Sequence, residues 1–374
     1  MVNTKNSKNV QWLTQNGGPA VKLIMMKNGI IDKNVYDVNE LADEMLQLDR
    51  LKKSLAYFDQ FLDYESYTVR DLCGYIHNCY ENCFEVFAKL FLRIGFCKGI
   101  TVFDEKMSIM RNVYNYLMKT HEFQAFSIIS TLISAGYLFE DMEPYIIKKI
   151  DRLHRTAKLG DYDFYETDIN NIRRPNRWKD KLILKDKFVT DYILPTSYDM
   201  DMILEYCRVS GNAEAKQKTE EIMAYLRNPK YQDTYGDYGW HWAEREKTYH
   251  ASSPGCPLPM YGKDLTEPKE NQKWNLLHVL EMLSLSPVMV KSESFEKTMN
   301  YLRRFETAHG TFRFPDEYML SMYVRPFDLV TVCKSFISKS THDALKKTVK
   351  KSFLSEVCST LVMVTLEKAQ QEFK

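Results

Sequence analysis

The sequence predicts an all-α protein of repeated αα-hairpins, arranged either as an α/α toroid or as an open helical-repeat solenoid. Three observations lead there. Apolar residues recur at helical spacing through most of the chain, and the periodic stretches stop at Gly or Pro. The stops themselves recur. Stretch 81–94 ends at Gly95 with Tyr116-Leu117 21 residues on, and 121–135 ends at Gly136 with Ile150 14 residues on. Stretch 198–210 ends at Gly211 with Tyr225-Leu226 14 residues on, and 274–286 ends at Pro287 with Tyr301-Leu302 14 residues on. Helix, short break, second helix is the αα-hairpin unit. Finally, almost nothing in the first half of the chain alternates with the period of two that a half-buried strand requires.

Residues 1–9 read as a loose terminus, and 10–155 as a first set of hairpins. A helix begins at Val10, breaks at Asn16-Gly-Gly-Pro19 and restarts at Pro19, whose missing N–H costs nothing in a first turn. Further helices are expected over roughly 37–63 and 67–94. The composition then changes across 156–194, with Asp161-Tyr-Asp-Phe-Tyr-Glu-Thr-Asp168 and Arg173-Arg-Pro-Asn-Arg-Trp178, which marks a connector. A second set, 195–374, opens at Thr196 with Asp199 in capping-box spacing. It ends in a hairpin over about 325–372 with an amphipathic, Lys-rich surface, and both sets are expected to form one continuous toroid.

Within the second set, 228–273 is too long for an ordinary connection and too rich in Tyr and Trp to be disordered. It predicts an ordered lid across one mouth of the ring.

Composition narrows the function. With 44% apolar and 13% aromatic residues, 374 positions suffice for a large core. Lys plus Arg (51) nearly cancels Asp plus Glu (50), which argues against a dedicated nucleic-acid binder. No apolar run reaches the length of a membrane span, and Met1–Asn9 lacks a signal-peptide core, so a cytoplasmic location is expected. Eight cysteines are too sparse for a disulfide scaffold and read as reduced, mostly buried thiols.

Several segments resemble a known fold family. Ile193-Leu-Pro-Thr-Ser-Tyr-Asp199, the Tyr225-Leu226 helix with Pro229 and Tyr231, Gly236-Asp-Tyr-Gly239, Pro254-Gly-Cys-Pro-Leu-Pro259, helix 274–286 and His309-Gly-Thr-Phe-Arg-Phe-Pro315 are similar to segments of largely uncharacterised bacterial proteins with a terpenoid-cyclase/prenyltransferase-like α/α toroid. The resemblance covers about 193–328, with an echo at Trp12-Leu13, and implies ring closure without a reaction. Class II cyclases of that fold protonate an alkene with an Asp-x-Asp-Asp motif, whereas Asp199-Met-Asp-Met202 lacks the final Asp. The zinc chemistry of protein prenyltransferases is likewise not expected to carry over, and no metal or cofactor is expected.

Candidate chemistry lies on two helices and the lid. On helix 274–286, Asn275, His278 and Glu281 form one stripe, and a His–Glu pair facing a cavity supplies acid and base; otherwise the stripe faces solvent. On helix 198–209, Asp201, Glu205 and Arg208 form a second stripe; Asp199 reads as the helix cap and Asp201 as a candidate general acid. In the lid, Asp237, Tyr238, Trp240, His241 and Trp242 offer aromatic faces with a carboxylate and an imidazole, and serve equally as the lid's own core. Tyr198 and Trp274 are further candidate ligand-lining aromatics. The pair His250 and Cys256, and the group Cys73, His77, Cys79 and Cys83, have poor metal spacing and read as structural.

The catalytic candidates are therefore Asp201, Asp237, His278 and Glu281, and the substrate-binding candidates Tyr198, Tyr238, Trp240, His241, Trp242 and Trp274. The expected function is binding, with acid/base transformation, of an apolar or aromatic, isoprenoid-like small molecule in a central cavity. Two alternatives stay open: a carbohydrate-active α/α barrel and a non-catalytic helical-repeat interaction protein.

Overall fold

The computed structural model describes residues 8–77, 83–120, 122–167, 182–190, 193–233, 239–243, 248–252, 260–261, 263–319 and 328–373. They are mostly helical, so the all-α class holds. The chain opens with α1 (Lys8–Asn16) and α2 (Pro19–Lys27), with Pro19 in the first turn of α2. Next come α3 (Val38–Leu46), capped by the Asp37 carboxylate, and α4 (Asp49–Ala56), which runs into a 3-10 stretch, Tyr57–Ser66. Helix α5 (Val69–Ile76) is capped by Thr68 and ends at His77, whose backbone is extended; α6 (Phe84–Arg93) follows. The two or three helices expected over roughly 37–63 and 67–94 are thus a larger number of short ones. Local breaks at Leu48, Asp63 and His77 interrupt an apolar periodicity that continues across them.

Three long helices follow: α7 (Thr101–Thr120), α8 (Glu122–Ser134) and α9 (Glu143–Leu159). Helices α6 and α8 end alike, at Gly95 (φ +93) and Gly136 (φ +92), where the left-handed turn lets Phe96 N–H reach Phe91 O at 2.9 Å and Tyr137 N–H reach Leu132 O at 2.9 Å. A Cβ on Gly95 would sit 2.7 Å from Leu23 Cβ, so this turn also sets how closely α6 docks on α2.

After the short α10 (Lys187–Thr190), α11 (Ser197–Ser210) starts at the expected capping box, in which Thr196 and Asp199 satisfy each other's backbone N–H groups. Asp199 is further held by Lys149, 3.2 Å away, so it is a structural cap. Helix α11 packs most extensively on α8, and α12 (Ala213–Arg227) on α9. Then come α13 (Pro229–Asp233) and an antiparallel ribbon of β1 (Gly239–Ala243) and β2 (Thr248–Ser252), in register Trp240↔Ala251 and Trp242↔Tyr249. This ribbon inside the expected lid is a departure from a purely helical reading. Trp240 bonds the connector on both sides, donating to Leu182 O and accepting from Leu184 N–H, each 2.8 Å.

The remaining helices are α14 (Glu270–Lys273), α15 (Leu276–Leu283), α16 (Pro287–Val290), α17 (Glu293–Arg303), α18 (Asp316–Met319), α19 (Leu329–Phe336), α20 (Lys339–Ala344) and α21 (Lys347–Phe373). The last corrects an expectation. Lysines 347, 350 and 351 occupy only its first turns; from Leu354 to Gln370 it is buried on nearly every side, so it is a central post and not an amphipathic surface helix. It packs against α1, α2, α15, α16, α18 and α19. Its buried hydroxyls serve the backbone of segment 311–314: Phe314 N–H donates to Ser359 Oγ at 2.9 Å and Phe312 N–H to Thr360 Oγ1 at 3.0 Å. No helix among the described residues is long and apolar enough to cross a membrane.

The first and last elements meet. Gly18 N–H donates to Phe336 O and Ser338 N–H to Asn16 O, both at 2.8 Å, and Trp12 packs on Phe353 with ring centroids 5.5 Å apart. A Cβ at Gly18 would lie 2.5 Å from Ser335 O and 2.9 Å from Ile337 O, both backbone atoms that cannot step aside. Gly18→Ala is therefore expected to lower stability by about 1–3 kcal/mol. Gly74, inside α5 with nothing within 4 Å of an added methyl, provides the contrast. Gly74→Ala should raise stability by roughly 0.5–1 kcal/mol. Urea unfolding midpoints with unchanged slopes would check both, and equal effects would sink the close-approach explanation.

Candidate active site

The site is set by α11. Its residues 197 and 199–206 are all buried, including the carboxylates Asp199, Asp201 and Glu205. Such groups need partners, because an ion stripped of water is costly unless compensated. Glu205 takes Arg208 Nε at 2.5 Å, one helical turn away. Asp201, only 9% exposed, has His278 Nε2 of α15 at 3.3 Å from its Oδ2, while its Oδ1 is buried with no hydrogen-bond partner. The two predicted stripes thus face one another: Asp201 and His278, 77 positions apart, form one pair.

Around this pair stand groups from further elements. Burial is the main reason that the Lys27 ammonium, at the end of α2, is held below its ordinary pKa; the carboxylates of Glu205 and Glu281 and the thiol of Cys97 oppose that shift, and Arg208 adds to it. Burial likewise raises the Glu281 carboxyl, against the pull of His278, Arg93 and Lys27 and with the push of Glu205. Yet the side chains of Lys27, Arg93, His278 and Glu281 are only half-buried. Each of the four therefore stands at the border of the packed core, and the mutual electrostatic influence of Lys27 and Glu281 puts them in one neighbourhood. Lys27 Nζ and the Glu281 carboxylate also make no hydrogen bond to another described residue. The polar stripe of α15 consequently faces inward.

Reached from α11 through Tyr198 is a second His–carboxylate pair. His77 Nδ1 is 2.5 Å from Glu85 Oε2, and Lys89 Nζ is 2.5 Å from Glu85 Oε1. Tyr198 joins this pair to α11: its hydroxyl bonds Glu85, its ring meets His77 edge-on with centroids 5.7 Å apart, and Lys89 sits 4.7 Å over its face. Burial would raise the Glu85 carboxyl, but His77, Lys89 and Tyr198 outweigh it and hold it at about 2. Tyr198 is raised by its burial first and by Glu85 second, with a smaller push from Asp201. Tyr261, wholly buried where the lid segment re-enters the core, is raised by burial and by the Asp201 carboxylate.

The other predicted residues fall as follows. Asp237 and Tyr238 lie outside the described residues, as does the side chain of Trp242. Trp240 and His241 are half-buried in β1, where the backbone of Trp240 leads to the connector. Trp274 is 53% exposed at the end of α14, so the expectation that it lines the pocket is corrected: its ring faces outward. Cys79, Cys256 and the side chain of His250 are also outside the described residues. Cys73, His77 and Cys83 do not share one helix, since α5 stops at Ile76. Asp71 and Cys73 stand in the Asp-x-Cys spacing of prenyltransferase zinc sites. Asp71, however, accepts a 2.7 Å bond from the cap hydroxyl of Thr68, and burial raises the Cys73 thiol, which disfavours the thiolate a metal needs. Among the described residues no group of three His, Cys, Asp or Glu is arranged to hold a metal ion.

Sequence reasoning missed Lys27, Arg93 and Glu85. The available signal for Glu85 was its i,i+4 spacing to Lys89 in an otherwise apolar helix; Lys27 and Arg93 each end an apolar helix just before a glycine turn. No protein-family model, curated protein or solved structure matches the chain.

Two stability effects follow. Because the folded-state pKa of Glu85 is depressed from 4.5 to about 2, its contribution is present above pH 4.5 and is lost as pH falls from there toward 2. With partners that remain partly solvated, the loss is on the order of 2 kcal/mol, and Glu85→Gln should remove it from a stability-versus-pH curve. Glu281 has the opposite sign. Its raised folded pKa makes ionisation of the unfolded chain favour unfolding above about pH 4. Glu281→Gln should therefore stabilise the protein at neutral pH and have no such effect below that range; destabilisation at pH 7 would contradict the assignment.

Proposed function

We propose that the chain is an enzyme that binds a small organic molecule in the recess between α2, α6, α11 and α15 and transforms it by proton transfer. His278 is the base, oriented by Asp201, and Glu281 the acid. The observation that carries this reading is the juxtaposition of Lys27 and Glu281, both deep, both water-accessible and neither hydrogen-bonded to described protein, with the Asp201–His278 pair. Charged groups are kept in such positions at a cost to stability, and perturbed ionisable groups gathered in one recess are the mark of a working site. A carboxylate on Nε2 fixes the imidazole tautomer and leaves Nδ1 to accept a proton. A carboxyl whose proton is held by burial is suited to returning it.

The ligand in this reading is amphiphilic. Lys27 and Arg93 suit a polar end, while Tyr198 adds aromatic surface for an apolar part. The terpenoid-cyclase-like ring is proposed as the scaffold, supported by the backbone bonds that join α1–α2 to α19–α20. The lid segment, with Trp240 and His241, is assigned the role of covering the ring mouth.

Incubating the protein with a small-molecule extract of its host and following each component by mass spectrometry tests this. Wild type should deplete at least one component. His278→Asn should slow that depletion by about 10²–10⁴-fold, and Asp201→Asn, which alters only the orientation of the ring, by less. An extract left unchanged by wild type, or depleted equally by His278→Asn, would overturn the proposal.

A further inference from the structure

We propose that the lysine-rich prominence where α20 meets α21 docks on an anionic lipid surface, with Val349 entering the headgroup layer. None of its residues belongs to the acid–base group around His278.

Charge is concentrated at this prominence far beyond the average of the chain. Residues 339–351 carry five lysines, at 339, 346, 347, 350 and 351, against one carboxylate, Asp343, in a protein whose net charge is +1. Lys339, Lys346, Lys347 and Lys351 are exposed. Lys350 is half-buried, with its Nζ 3.2 Å from His342 Nε2, a contact that holds the start of α21 against α20. The nearby acids offset only part of the charge: Asp343 lies 3.5 Å from His342 Nδ1, and Asp316 takes Lys351 at 2.6 Å. Behind this surface, Ser338 and Thr341 bond Asn16 of α1 and Phe353 packs on Trp12, which fixes it to the body of the protein.

The same stretch stands out from the packed core. From Lys346 to Ser352 every residue but Lys350 is exposed, and the burial of α21 begins at Leu354. Val349, 44% exposed, therefore sits on a protruding turn among four lysines. Leu329 and Val330, also exposed, open α19, which packs on α21. Helix formation does not ask for this arrangement. The first turn of a helix favours Asp or Glu, yet α21 has no acid there and carries Lys347 and Lys350 instead.

Two kinds of polyanion suit a basic surface, and the side chains among the lysines separate them. Nucleic acid is typically met by arginines and by aromatic rings that stack on bases; residues 339–351 contain no Arg, Phe, Tyr or Trp. A lipid surface offers acidic headgroups to lysines and, just beneath them, hydrocarbon to an exposed aliphatic side chain. A cationic turn bearing Val349 matches the lipid surface.

Vesicle co-sedimentation tests the docking. The protein is mixed at pH 7 with vesicles of phosphatidylcholine, alone or with about one quarter phosphatidylserine, in about 50 or about 200 mM NaCl. It should pellet with the anionic vesicles, and much less at the higher salt or with phosphatidylcholine alone. Lys346→Glu combined with Lys347→Glu should lower that partition by roughly tenfold to a hundredfold, and Val349→Asp by at least about threefold. The double variant places acids at the start of α21, so its thermal midpoint should hold or rise, which excludes unfolding as the cause of lost binding. The same charge reversal at Lys52 and Lys53, exposed on α4, should leave the partition unchanged. Absence of binding to the anionic vesicles at the lower salt would overturn the proposal, as would an equal loss in the α4 variant. Tighter binding to a DNA or RNA duplex than to the vesicles, unaffected by Val349→Asp, would also overturn it and assign the patch to nucleic acid.

Discussion

The post formed by α21 is the constraint on which the rest of the structure depends. A helix buried on nearly all sides has to be met by apolar surface from every direction, and elements distant in sequence provide it: α1 and α2 from the start of the chain, α15, α16, α18 and α19 from its second half. Its Ser359 and Thr360 satisfy the amides of Phe314 and Phe312 in an extended segment whose other edge bonds Phe305 and Thr307. Buried hydroxyls with partners cost little and fix register, because sliding the segment would strand two N–H groups away from water.

That tightly packed half of the molecule bears the cost of a looser one. Lys27, Arg93, His278 and Glu281 are each half-buried, and Asp201 keeps one oxygen without a partner. None of these choices helps folding. What holds them in place is ordinary packing: the Gly95 turn lies directly against Leu23 and Ile24 of α2, and the capping box starts α11 at the phase that turns Asp201 toward His278 of α15.

Helix ends were the most legible feature of the sequence, since a left-handed terminus requires glycine and Gly95, Gly136 and Gly211 each supply one. The capping box at Thr196 was legible for the same reason: it is a local hydrogen-bond pattern. The stripes bearing Asp201 and His278 could be read on their separate helices, but no periodicity says which stripe faces which. Lys27 and Glu85 stayed hidden inside apolar helices, where a single charge reads as an exposed exception. The ribbon of 239–243 and 248–252 was missed because five-residue strands give too few alternations, and the burial of α21 because its lysines cluster in the first turns and polar residues are interspersed in the buried stretch behind them.

The position of that post in the chain has a consequence for biogenesis. During translation α1 and α2 emerge long before α21 exists, so the part of their apolar surface that packs on α21 has no native partner until that helix is made. Until then the nascent chain carries uncovered apolar surface, a condition that invites chaperone engagement. It also makes α21 a poor place for a fused tag or a premature stop: losing the final helix removes the centre around which earlier elements assemble.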